Sequence, residues 1–164
     1  LSFTKINKNY LQANFFKKMK DKVAEVSLKL LLHIAVFYAL FIHFHGEESA
    51  GGGFQAGAIF ASVFLVYQFI FDDEDYLVKE SFSNLLLYIG IMLYFGTGIV
   101  TMFFGANFLE FAVLQKIGLS LGASQKIGIF VVEAGVLLVV AMGLLKIGYS
   151  FKRIFDNTKP NIDI

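Results

Sequence analysis

Four long apolar runs constrain this chain more than any other feature of its sequence. They fall at about residues 27–45, 52–71, 84–104 and 126–149. At about 1.5 Å of rise per residue, each makes a helix close to the ~30 Å thickness of a bilayer's hydrocarbon core, given some help from its interfacial flanks. Strands of a membrane barrel would instead alternate polar and apolar residues, which these runs do not. A water-soluble domain is excluded on composition, because 57% of the 164 residues are hydrophobic and only 16% are charged, well outside the usual balance. The expected fold class is all-α, an integral membrane four-helix transmembrane bundle with an N-terminal amphipathic helix.

The flanks organise the rest. Residues 1–26 place Ile6, Tyr10, Phe16, Met19 and Val23 at roughly helical spacing against Lys5, Lys8, Lys17, Lys18, Lys20 and Lys22. This reads as a basic amphipathic helix on a membrane surface or as a flexible basic segment. These residues are polar and lack an apolar core, so no cleavable signal peptide is expected. Residues 27–150 form the four-span domain and 151–164 a polar tail. Lys17–Lys29 precede the first span, and Lys146, Lys152, Arg153 and Lys159 follow the fourth, whereas the loop at 43–52 has neither Lys nor Arg. Both termini are therefore expected on the cytoplasmic side. Asp72, Asp73, Glu74 and Asp75 open a short acidic connection, either a solvated turn or a cation-gathering mouth. Residues 106–125 make a longer link, apolar enough at Phe108, Leu109, Phe111, Val113 and Leu114 to dip into the interface or pack on the bundle.

Within the spans, charge is scarce and so informative. Glu133 is the clearest charged residue inside one, about 10 Å along the fourth helix. A carboxylate there must face protein or water; burial favours its protonated form, while a bound sodium ion or a nearby Lys holds it ionised. It is a candidate for ion or proton handling, or for a structural hydrogen bond to a neighbouring helix. His33 lies about two turns into the first span as a packing residue or a proton relay. His43 and His45, with Glu47 and Glu48, gather imidazoles and carboxylates near one loop, as an ion-attracting vestibule or a solvated interfacial turn. Their spacing is not that of an enforced metal site. Thr97, with Thr101, Ser62, Gln68 and Asn84, offers neutral oxygens of the kind hard cations accept, although hydroxyls in membrane helices commonly bond their own backbone.

The most specific stretch is His45-Gly46-Glu47-Glu48-Ser49-Ala50-Gly51-Gly52-Gly53-Phe54-Gln55-Ala56-Gly57. Its three consecutive glycines permit a tight turn at the membrane surface, and Gly53, Gly57 and Ala61 then recur every fourth residue as a ridge on which another helix can pack closely. A second row of small residues, Ala58 and Ser62, lies on a neighbouring face. Gly96-Thr97-Gly98, Phe104-Gly105-Ala106-Asn107-Phe108-Leu109 and Glu133-Ala134-Gly135-Val136 add further matches to a known pattern. Together with the glycine stretch, they resemble the MnhB-domain family, found in the Mrp/Mnh-type multisubunit sodium/proton antiporters, over roughly residues 28–150. One departure is Ala50, where that family usually has Pro.

The resemblance implies a small subunit of a large complex in a bacterial or archaeal cytoplasmic membrane, related to respiratory complex I and exchanging sodium for protons. Large antiporter-like subunits and other small hydrophobic subunits are its implied partners. The expected role is non-catalytic: assembly of the complex, with a place lining the cation path, and the glycine face of the second helix buried against partners. The same fold would serve an energy-converting hydrogenase. From a different class comes a self-sufficient homodimeric transporter with Glu133 as its coupling residue. An intramembrane enzyme is not expected, because no serine–base pair, metal-binding helix motif or carboxylate dyad is present. No cofactor is implied. A net charge of +1 gives no footprint for nucleic acid, and the absence of Cys removes disulfides and thiolate sites.

Overall fold

In the computed structural model, residues 2–46, 52–71 and 78–158 are described, with side chains for 22–46, 52–70 and 78–154. Among them are four helices long and apolar enough to cross a membrane: α1 (Ser2–Phe44), α2 (Gly53–Phe71), α3 (Glu80–Phe103) and α4 (Leu121–Thr158). No strand occurs among the described residues, as expected where lipid offers no partner for an open backbone. The acidic run at 72–75 lies outside the described residues. The chain divides into two compact units, residues 1–34 and 35–164. The first is helical from Ser2 and carries an ion pair one turn long, Lys29 to Glu25 at 2.6 Å.

In the second unit α4 is the element that the others share, packing against α2, α3 and the link between α3 and α4. Lipid tails are as apolar as leucine, so helices in a bilayer gain from close van der Waals approach rather than from leaving water. The sequence supplies that approach through residues without bulk. A Cβ on Gly53 would stand 1.9 Å from the Glu133 carbonyl oxygen, and one on Gly57 would stand 2.7 Å from that of Leu137. One turn further, Ala61 and Ala141 are both buried in the apolar core with Met142 and Leu145. The ridge read from the sequence is therefore real, but the chain's own fourth helix covers it rather than a partner. Residues 133, 137 and 141 repeat with the same period as 53, 57 and 61, which lets the two rows mesh. Ser62, in the second small-residue row, is exposed and bonds back to Ala58 O at 2.8 Å.

α3 crosses α4 at a second close point. A Cβ on Gly90 would lie 2.7 Å from Gly135 O, and one on Gly135 would lie 2.8 Å from Gly90 O. At one end Lys146 donates to Asn84 Oδ1 between the two helices. At the other, the link packs on the bundle and forms a short 3-10 helix, Phe111–Ile117. Phe108 lies over Gly98 and Phe111 over Gly128, each ring filling the space a Cβ would need. Thr101, almost fully buried, ties the link down: its hydroxyl accepts from Leu109 N at 3.0 Å and lies 2.8 Å from Gly98 O and 3.0 Å from Asn107 O. That hydrogen bond helps hold Leu109 in the left-handed region, at φ 62°, which is uncommon for a residue with a side chain.

Candidate functional site

Between Lys126 and Lys146, α4 runs for about 30 Å with Glu133 as its one charged residue. The helix backbone places that carboxylate against the glycine-rich turn between α1 and α2. A Cβ on Gly46 would sit 2.9 Å from Glu133 Oε2, and one on Gly52 would sit 3.0 Å from Oε1. The carboxylate thus occupies the volume that two side chains would otherwise claim. Gly52 has φ +133°, a conformation L-residues rarely adopt, and a Cβ on Gly46 would also come within 2.9 Å of Gly52 Cα. The two ends of the turn close on each other, with Glu133 against both.

Glu133 lies about 10 Å along α4 from Lys126, and Gly46 and Gly52 lie beside it. Irregular backbone at membrane depth persists only where protein covers it or water reaches it, and at Gly46 and Gly52 the Glu133 side chain of α4 lies against it.

His43 belongs to the same neighbourhood. It is 7% exposed, with its ring centroid 5.2 Å from that of Phe130 and 5.5 Å from that of Phe44. Phe130 is three residues before Glu133, hence one turn away on the same face. Nδ1 of His43 is buried and has no hydrogen-bond partner among the described residues. His45 is exposed, stacked on Phe41 at 4.2 Å, with Nδ1 3.0 Å from Phe41 O. His33, in the first unit, is exposed, with Nδ1 2.6 Å from Lys29 O. The Thr97 hydroxyl lies 2.9 Å from both Leu93 O and Tyr94 O of its own helix. Thr97 lines a separate apolar cavity of about 290 Å³ between α3, α4 and the 3-10 helix. Glu47, Glu48 and Gly51 lie outside the described residues. Among the described residues no group of three His, Asp or Glu side chains is placed to hold a metal ion.

Of the turn and packing residues, Gly52, Gly53, Gly57 and Ala61 are buried, and Gly135 is buried at the α3 crossing, whereas Phe54 and Gln55 are exposed on the first turn of α2. Sequence reasoning passed over Gly46 as an individual site residue and Gly90 as a crossing point. Gly90 carried a usable signal: a lone glycine in an apolar helix marks close packing more often than weakness. The Thr101 hydrogen bonds to the link carried none, because threonine in a membrane helix ordinarily bonds its own turn.

The fold and site define a polytopic helical membrane protein with a carboxylate, Glu133, inside its fourth span and against Gly46 and Gly52. The sequence matches the family described as a domain related to the MnhB subunit of Na+/H+ antiporters over residues 23–146, and the chain belongs to that family. Among curated proteins it is similar to the "Putative antiporter subunit mnhB2" of Staphylococcus aureus strains Newman and JH1. Each is 30% identical over 135 residues, covering 77% of this chain and 96% of the relative. No solved structure matches it.

Proposed function

We propose that this chain is a non-catalytic subunit of a multisubunit sodium/proton antiporter, and that Glu133 lies on its cation path. The observation that carries this is the Glu133 carboxylate against Gly46 and Gly52. An acid this far into an apolar span is costly, and such acids mark ion or proton routes by default. A carboxylate can hold either a proton or, with carbonyl and water oxygens, a sodium ion, which is the exchange an antiporter requires. The glycines favour this reading because they leave backbone rather than side chains around the acid. His43, one turn away, is a second group able to accept or pass a proton. The family description supports an antiporter over a hydrogenase assembly. Large exposed apolar residues on every helix, such as Phe37, Phe69, Met92 and Ile147, together with Phe54, suit contact with lipid and with partner subunits. The basic flanks favour an orientation with both termini on the cytoplasmic side.

The test is sodium/proton exchange in everted membrane vesicles carrying the whole complex. Glu133→Gln is expected to reduce exchange by at least tenfold with subunit recovery unchanged, and Glu133→Asp to retain part of it with altered sodium dependence. Wild-type exchange in a fully assembled Glu133→Gln complex would remove Glu133 from the path.

A further inference from the structure

At the end of the bundle opposite the 3-10 helix, a polar cavity of about 170 Å³ opens between the start of α3 and the last turns of α4, lined in part by Glu80, Ser83, Lys146, Ser150 and Arg153. We propose that this cavity binds the phosphate of an anionic phospholipid headgroup. Four observations converge on a phosphate. Among the described lining residues Lys146 and Arg153 bring two cations against one carboxylate, that of Glu80, and neither Arg153 nor Glu80 has an ion-pair partner among the described residues. Lys146 spends one of its donors on Asn84 Oδ1 and retains two. Ser83 is 2% exposed, lines the cavity, and its hydroxyl has no hydrogen-bond partner among the described residues. Finally, α3 begins here. Its first intrahelical bond is Ser83 N to Lys79 O at 2.9 Å, and Lys79 provides no side-chain cap, so the amides of the first turn present positive partial charge to an acceptor.

The cavity has the volume of about six water molecules, enough for a tetrahedral phosphate. A lipid rather than a free ion is indicated by its place beside the apolar spans, with Phe82, Ile147 and Phe151 exposed on the flanking turns where acyl chains would run. Basic pockets between helices at the membrane boundary are a recognised setting for anionic headgroups, each Lys or Arg adding about a fivefold gain in affinity.

The experiment uses the complex purified in detergent and stripped of lipid, with retention of added phosphatidylglycerol followed by native mass spectrometry and by thermal stability. Phosphatidylcholine and inorganic phosphate serve as the comparison arms. Phosphatidylglycerol is expected to bind and stabilise at concentrations where phosphatidylcholine does not. Arg153→Gln is expected to weaken it about fivefold, Ser83→Ala to weaken it severalfold, and Glu80→Gln to strengthen it. Lys116→Gln, at the opposite end, should leave phosphatidylglycerol retention unchanged. Because Arg153 is exposed, its loss tests binding without disturbing the core. Equal binding of both lipids, or phosphatidylglycerol retention unchanged by Arg153→Gln and Ser83→Ala, would overturn the proposal. Equal protection by inorganic phosphate would overturn the lipid assignment.

Discussion

Placing one methyl group at Gly53 tests the central packing claim. An ideal Cβ there lies 1.9 Å from the Glu133 carbonyl oxygen and 3.0 Å from Leu137 N. Ordinary contact begins at about 3.4 Å, so α2 and α4 must separate by about 1.5 Å at that level. The obstacle is backbone, which no rotamer change can relieve. Overpacking typically costs about 1–3 kcal/mol, and Gly53→Ala belongs at or above the top of that range. For a chain of this size that corresponds to a fall in Tm of about 6–12 °C. Gly96→Ala is the internal control. It lies in α3 with nothing within 4 Å of its Cβ position, so the gain in helix propensity, about 0.5–1 kcal/mol, is unopposed and Tm should rise by about 1–4 °C. The assay is thermal unfolding of the two variants and wild type in the same detergent, read by size-exclusion chromatography. If Gly53→Ala is as stable as wild type, or if Gly96→Ala loses as much as Gly53→Ala, the close approach of α2 and α4 is wrong.

Thr101→Val removes the hydroxyl that accepts from Leu109 N and is expected to cost about 1–3 kcal/mol in thermal unfolding, while Thr101→Ser keeps the acceptor and most of the stability. Asn84→Leu leaves the Lys146 ammonium without its side-chain acceptor in a part-buried site and should destabilise by at least about 1–3 kcal/mol; Asn84→Gln should recover some of this. His43→Phe keeps an aromatic ring beside Phe130 and deletes a buried nitrogen that has no partner among the described residues. Its Tm should match or exceed wild type, and a clear fall would show that the nitrogen is satisfied in the protein.

The spans were legible because the bilayer removes alternatives: a run of that length and apolarity with no charge to spare can only be a helix. The Gly53–Gly57–Ala61 ridge was legible for the same kind of reason, since a four-residue repeat of small side chains has one physical use. Which helix it meets was not legible, because every span presents enough small or slim residues to receive it. The link at 106–125 showed apolar content without a period. Its fold depends on Phe108 and Phe111 meeting Gly98 and Gly128 and on the Thr101 hydroxyl, pairings set by tertiary position rather than spacing. Among the candidate site residues, Glu133 stood out by charge alone. Its neighbours Gly46 and Gly52 were visible as glycines but not as its neighbours, and Thr97 went to its own backbone, as membrane threonines tend to do.

The two close crossings bear directly on where the backbone holds Glu133. Gly53 meets α4 at Glu133, and Gly90 meets it at Gly135. Successive helix positions are about 100° apart, so residues 133 and 135 face nearly opposite directions at almost one height. α4 is therefore gripped from both sides at the level of the acid. A rotation or slide that carried Glu133 toward either membrane face would drive one glycine contact into overlap. The backbone at Glu133 is thus held between two helices, and the side chain that it carries lies against Gly46 and Gly52. This is why Gly46 and Gly52 matter as much as Glu133. A side chain on either would take the space that the carboxylate now fills, and moving α4 aside to restore it would strain both glycine crossings.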